Sequence, residues 1–264
     1  MKVLVTGLSG TIGRVLKNSL ENAGHKVVYW NRQEVPIDDY SKMEYYIGSV
    51  RPDVLIHLAV NSRPTGHPNE NWLVNYQWPS ELAWICKHFK IKFVYTSTVM
   101  VFSDFSHGPF SITSVPDNNK GYGFEKRLSE ARVMYQNPDA VIIRLGWQIG
   151  DEIGTNNMTD YLEVQNREKG KITCSTQWLP ACSFIEDTAN LLIRAGKFEG
   201  GLYQADSNRG WNFFEIATQL NKQKKAGWTI EADDHFVFDQ RMLDDRTEMP
   251  PLSDRLPGLK KKKK

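Results

Sequence analysis

Only three cysteines occur in the 264 residues, and none of Cys86, Cys174 and Cys182 forms a CxxC pair. That excludes a disulfide framework or thiolate zinc site and predicts reduced thiols in a cytoplasmic protein without a bound metal. No apolar run approaches the ~20 residues a spanning helix needs. The opening "MKVLVTGLSG" lacks the charged-then-apolar layout of a secretory leader. Charge of one sign is nearly absent too. Lys and Arg total 33 against 31 Asp and Glu, for a net charge of +2, so neither nucleic acid nor an anionic membrane is expected as partner. Even that excess comes from Lys260 to Lys264, without which the chain would be slightly acidic. The run reads as a solvated tail, with a functional basic tail as the sharper alternative. Internal repeats and low-complexity linkers are missing as well.

What is present is an alternation. "KVLVT" (2–6), "KVVYW" (26–30), "DVLIHLA" (53–59), "KFVYTS" (92–97) and "AVIIRL" (140–145) are short, apolar and rich in β-branched residues. Helical spacing fills 11–23, 40–50, 70–89 and 122–137 between them. Unbroken apolar strands separated by helices predict a Rossmann-type α/β fold, a doubly wound parallel sheet covered on both faces. Residues 1–150 would form this dinucleotide-binding domain. Residues 151–264 would form a smaller substrate-binding lobe that completes a cleft, with helix 183–197 returning to the large sheet. Helices are also expected at 155–170 and 212–225, and a strand at 201–205.

The first strand runs into "TGLSGTIG", which spaces Gly7, Gly10 and Gly13 as in dinucleotide-binding turns. Gly7 permits the tight turn, Gly10 admits a diphosphate to the backbone, and Gly13 lets helix and strand pack closely. Ser9, Thr11 and Ile12 complete the phosphate-binding segment, because the helix start presents free N–H groups and a positive dipole end. A glycine turn kept only for strand–helix geometry is the plainer alternative. At the end of the second strand Asn31 and Arg32 stand where an acidic residue would hold the ribose of NAD, which favours NADP(H) over NAD(H). A solvated loop arginine would look the same.

The fourth strand ends in "YTSTVMVF", with Thr98 at its carboxyl end, and "GYGFEK" follows with Tyr122 and Lys126. Tyrosine and lysine four apart share one helix face, which alone fits an ordinary surface helix equally well. With the Thr-to-Tyr spacing, however, the chain resembles the extended short-chain dehydrogenase/reductase family, and most closely its dTDP-4-dehydrorhamnose reductases. "STVMVF" (97–102) matches four of six positions of that group's Ser-Thr-Asp-Tyr-Val-Phe. "RLGWQIG" (144–150), "NNM" (156–158), "TQWLPAC" (176–182) and "GWNFFEIA" (210–217) match later motifs in order. The resemblance implies an NAD(P)H-dependent reductase of a keto group on a nucleotide-activated sugar, and it leaves a homodimer open. In it Tyr122 would donate the proton, Lys126 would lower the phenol's pKa and hold the nicotinamide ribose, and Thr98 would bind the carbonyl oxygen. Leu58, Ala59, Val60 and Thr96 would line the cofactor groove and Ile37 would touch the adenine. Trp147, Asn157 and Gln177 would meet the substrate, although Trp147 serves a core equally well and Asn75 reads as structural.

Val99 and Met100 replace the group's Asp-Tyr, and Pro36 stands where an acidic residue is common, so the rhamnose precursor is not assured as substrate. His67 reads as a loop residue. Two other readings share the pattern. Sugar-nucleotide epimerases and dehydratases use the same triad on a retained NAD, and the regulatory β subunit of methionine adenosyltransferase resembles this group while binding NADP.

Overall fold

The computed structural model describes residues 1–62, 65–152 and 154–259. The Lys260–Lys264 tail lies outside the described residues. The expected apolar runs form β1 (Lys2–Thr6), β2 (Lys26–Tyr29), β3 (Val54–His57), β4 (Lys92–Thr98) and β5 (Val141–Leu145), joined by β6 (Gly201–Ala205). They make one parallel six-stranded sheet in the order β6-β5-β4-β3-β1-β2. Val3 registers with Val27 on one side and with Val54 on the other, and Val54 registers with Lys92. β3 and β5 are buried along their whole length, as a strand covered on both faces must be. β2 and β3 lie on opposite sides of β1, so the winding direction reverses there. Such a reversal opens a crevice beyond the carboxyl ends of β1 and β3.

Helices α1 (Thr11–Asn22), α2 (Tyr40–Val50), α3 (Trp78–Phe89) and α4 (Gly121–Gln136) belong to the same layered unit. The spacing predicts one helix over 70–89, whereas the structure has a turn at Glu70–Trp72, a π-helical segment at Leu73–Gln77, and then α3. Pro79 stands in the first turn of α3. Proline cannot donate to the carbonyl four residues back, and its ring crowds that carbonyl, here Asn75's. A wider π turn just before the proline relieves the conflict.

Chain contacts divide the molecule into two units. The first comprises Met1–Ser103, Val115–Arg144 and Ala189–Tyr203; the second comprises Asp104–Ser114, Leu145–Thr188 and the chain from Gln204 onward. Within the first, a Cβ on Gly196 would lie 3.3 Å from Val54 of β3, which places the end of helix α5 (Ile185–Ala195) against the sheet. The second unit holds α6 (Phe213–Lys224), the helix Met158–Lys169, and strand pairs only two to four residues long. Its core gathers Ile149, Leu162, Ile172, Trp211 and Ile216. Among the described residues no helix is long and apolar enough to cross a membrane.

Candidate active site

The turn after β1 is built for close approach. Gly7 has φ +73°, and a Cβ there would come within 2.8 Å of the Ala59 backbone nitrogen after β3. A Cβ on Gly13 would stand 2.4 Å from the Gly7 carbonyl oxygen, so α1 rests directly on the turn. Gly10 caps α1 without a side chain, and the first helical turn carries no acidic residue. Thr11, Ile12 and Gly13 thus bring their N–H groups to the switch point with no carboxylate or hydroxyl from the cap competing for them. A cradle whose width depends on absent Cβ atoms, at an uncapped helix start, fits a dinucleotide diphosphate.

Beneath this turn the strands are tied by a polar ladder. Thr6 Oγ1 lies 2.9 Å from His57 Nδ1 and accepts from Ala59 N–H at 3.4 Å. Thr96 Oγ1 donates to the His57 carbonyl at 3.0 Å. Burial, with Lys126 and Arg32 nearby, holds the His57 imidazole well below its ordinary pKa, which keeps it neutral. Leu58 donates its N–H to Thr6 at 3.2 Å, Ser62 donates to Val60 at 3.0 Å, and buried Ile37 joins the apolar core.

At the nucleoside end, the Asn31 side chain is engaged locally. It donates to Glu34 at 2.8 Å and accepts from Gln33 N–H at 3.0 Å. Arg32 lies 5.1 Å over the Trp78 ring, and burial opposed by Glu70 lowers its pKa somewhat. His67 sits in an exposed loop, 3.4 Å from Asp38.

Thr98, Tyr122 and Lys126 all belong to the first unit. Thr98 ends β4, and its hydroxyl accepts from Met100 N–H at 3.2 Å. A Cβ on Gly123 would lie 2.0 Å from the Met100 carbonyl oxygen, so α4 starts flush against the segment after Thr98. Only glycine permits that approach next to Tyr122. One turn on, Lys126 is 1% exposed. Its Nζ donates to the Thr96 carbonyl at 2.7 Å and lies 4.1 Å over the Tyr95 ring.

The electrostatics differ from the sequence expectation. Lys126 does not draw the Tyr122 phenol downward here. Loss of water, then the Glu125 carboxylate, pushes that phenol above its ordinary value, because each disfavours a phenolate. Burial meanwhile drops the Lys126 ammonium to about 7, with Glu130 opposing the shift. Between about pH 7 and an unfolded value of 10.5 the folded chain then binds fewer protons at this site than the unfolded chain. The stability penalty is therefore full below pH 7 and fades as pH rises. Without dinucleotide, native protein should gain about 2 kcal/mol over Lys126→Met between pH 7 and 9. Parallel chemical-denaturation curves would read this, and a pH-independent difference would show a hydrated ammonium.

Sequence reasoning missed a second network. Asn75, 3% exposed, accepts from Asn61 N–H at 3.0 Å and donates to Glu125 Oε2 at 2.8 Å. Its inward position comes from the π turn, which a 3.6-residue period does not reveal.

In the second unit, Trp147 lies among aromatic rings, 5.3 Å from Tyr161, 5.9 Å from Phe213 and 6.0 Å from Trp178. Gln177 is exposed. Asn157 caps the helix Met158–Lys169, accepting from Asp160 N–H at 2.9 Å while both amide hydrogens go to Glu152 and Thr155.

The reversed strand order and the glycine cradle, with α4 seated beside the end of β4, are those of a dinucleotide-dependent oxidoreductase of Rossmann type. The chain belongs to the RmlD substrate binding domain family, whose pattern matches residues 1–222. It is 28% identical over 231 residues to dTDP-4-dehydrorhamnose reductase of Burkholderia thailandensis, covering 82% of this chain and 77% of that one. It is 24% identical over 225 residues to the spore coat polysaccharide biosynthesis protein SpsK of Bacillus subtilis, covering 84% and 79%. Against the probable low-salt glycan biosynthesis reductase Agl14 of Haloferax volcanii it is 28% identical over 174 residues, 58% of that protein. The fold is shared with dTDP-4-dehydrorhamnose reductase of Bacillus anthracis in complex with NADP, at TM-score 0.81 and 18% identity, covering 97% of this chain and 96% of that one.

Proposed function

We propose that the protein reduces a keto group on a nucleotide-activated sugar with a nicotinamide dinucleotide, in the manner of the dTDP-4-dehydrorhamnose reductases it resembles. The observation that carries this reading is the seating of α4, with Gly123 against the Met100 carbonyl and Lys126 Nζ on the Thr96 carbonyl. That seating would bring the Tyr122 phenol and the Lys126 ammonium beside Thr98 at the end of β4. The first-turn amides of α1 and the 58–60 segment would hold the dinucleotide, with Ile37 at its adenine. NADPH is the form favoured, because β2 runs into Trp30, Asn31 and Arg32 rather than an acidic residue, and the Arg32 guanidinium lies over the Trp78 ring.

A dinucleotide held by the α1 amides and the 58–60 segment would supply the hydride. Reduction then needs a proton on the carbonyl oxygen as charge develops there. Tyr122 holds that proton at its phenol oxygen, and its raised pKa keeps the group loaded through neutral pH. The Thr98 hydroxyl steadies the oxygen, and it can turn from its cap on Met100 to do so. Lys126 keeps a positive charge near the phenolate left behind, once a partner joins Thr96 in satisfying it. In the second unit, Trp147 and Gln177 are the residues proposed to meet the sugar; Asn157 serves as a cap. The three buried thiols suit a reducing cytoplasm.

Purified protein should consume NADPH with a nucleotide-linked 4-keto-6-deoxy sugar and carry no dinucleotide from purification. Tightly retained NAD would favour an epimerase or dehydratase instead. No oxidation across a panel of such sugars, with a stoichiometric protein partner recovered, would favour a regulatory subunit.

A further inference from the structure

Glu125 lies in sequence between the proposed proton donor and its lysine, and its effect on the Tyr122 phenol does not explain its bond to Asn75. In α4 it falls three residues after Tyr122, on the same side of the helix. Its Oε2 receives the Asn75 amide at 2.8 Å. Asn75 is almost wholly buried in the π segment, and its Oδ1 receives the Asn61 N–H at 3.0 Å. Asn61 directly follows Leu58, Ala59 and Val60, and Ala59 abuts Gly7 of the phosphate-binding turn. Asn61 Nδ2 also donates to Asn71 at 2.5 Å, so the loop is held from two sides.

An asparagine amide has one face that accepts and one that donates, and rotation by half a turn exchanges them. A carboxylate can only accept. Placed against one end of Asn75, it fixes the NH2 group there and so turns the oxygen toward Asn61. A flipped Asn75 would point NH2 at the Asn61 N–H, leaving two donors opposed and the carboxylate facing an oxygen. Such a mismatch leaves both groups without the partner that water gave them in the unfolded chain. A hydroxyl or amide at position 125 would weaken this bias without abolishing it, since each can still present an accepting oxygen to the Asn75 amide.

The geometry points to Glu125 as a positioning residue: through Asn75 it sets the shape of the 58–61 wall of the dinucleotide groove. The inference rests on the dinucleotide reading proposed above and adds to it a residue outside the Thr98–Tyr122–Lys126 cluster. It makes the helix bearing the proton donor and the wall bearing the cofactor one connected body, so that loss of the carboxylate loosens the wall and weakens binding even where no sugar is present.

Quenching of tryptophan fluorescence on titration with NADPH tests this without any sugar substrate. Glu125→Ala should raise the dissociation constant about tenfold and Asn75→Ala by a similar factor. The double variant should be no weaker than either alone, because both remove one link. Glu125→Gln, which can still accept through its amide oxygen, should stay within about threefold of native. In the protein without dinucleotide, Asn61 amide exchange should quicken in Glu125→Ala and remain slow in Glu125→Gln. An unchanged constant in Glu125→Ala, additive effects in the double variant, or a Gln variant as weak as Ala would each overturn the assignment. Native protein that binds no NADPH would instead overturn the cofactor reading, and this inference with it.

Discussion

Tyr122→Phe lowers turnover of a keto-sugar substrate by about 10²–10⁴-fold, the range a positioned general acid contributes, while the NADPH dissociation constant stays within about twofold. The expectation follows from what one oxygen does and does not touch. The Tyr122 ring lies at the start of α4, and Gly123 beside it keeps that start against Met100. Removing the hydroxyl alters neither contact. Among the described residues no hydrogen bond to the Tyr122 hydroxyl is seen in the free protein, so the variant leaves no buried partner unsatisfied and should fold with native stability. What it removes is the proton. The raised pKa has a consequence of its own, since reduction needs a loaded phenol and burial with Glu125 keeps it loaded well above neutral pH. Steady-state rates and a binding titration on the same preparation separate the two effects. Equal turnover in native and variant would eliminate the proposed acid, and a matched loss of binding would make Tyr122 a cofactor contact only.

The parts of this site that were legible in the sequence are those written in short-range pattern. Buried strands of a parallel sheet are continuous apolar runs, and "KVLVT" followed by three spaced glycines has few other uses. Strand ends then located Thr98 at the carboxyl end of β4. What was not legible depends on three-dimensional neighbours. Asn75 looked structural because its Glu125 partner is fifty residues away, and the π turn that aims it follows from a proline rather than from any apolar spacing. The second unit was read poorly for a related reason. Pairs such as Trp147–Ile149 with Cys182–Phe184, or Trp178–Leu179 with Phe238–Asp239, are too short to show a period. The direction of the Tyr122 shift was not legible either, because a sequence shows that a lysine is near but not how strongly burial and Glu125 oppose it.

Glu130→Ala should destabilise the protein by about 3–5 kcal/mol, the cost of leaving one member of a buried ion pair alone. Glu130 is one turn beyond Lys126 on α4 and is 7% exposed; Arg144, on β5, is 2% exposed. The guanidinium meets the carboxylate through two hydrogen bonds, 2.9 Å from Nε and 2.7 Å from Nη2, a bidentate geometry that fixes direction as well as distance. Its carbon also lies 5.0 Å over the Phe102 ring. The second terminal nitrogen, Nη1, finds no hydrogen-bond partner among the described residues, so losing Glu130 would strand the whole cation. Replacing both, as in Glu130→Leu with Arg144→Leu, should recover most of the loss, since an apolar pair of similar volume avoids desolvating two charges. Denaturant unfolding of the single and double variants distinguishes these cases. The pair would prove stabilising in its own right if the double variant were as weak as Glu130→Ala. If instead the double variant is stable but binds dinucleotide poorly, the pair's contribution is rotational. Tyr122, Lys126 and Glu130 follow one another at four-residue steps along a single helix face, and a two-point anchor on β5 at the third of them decides where the first two point.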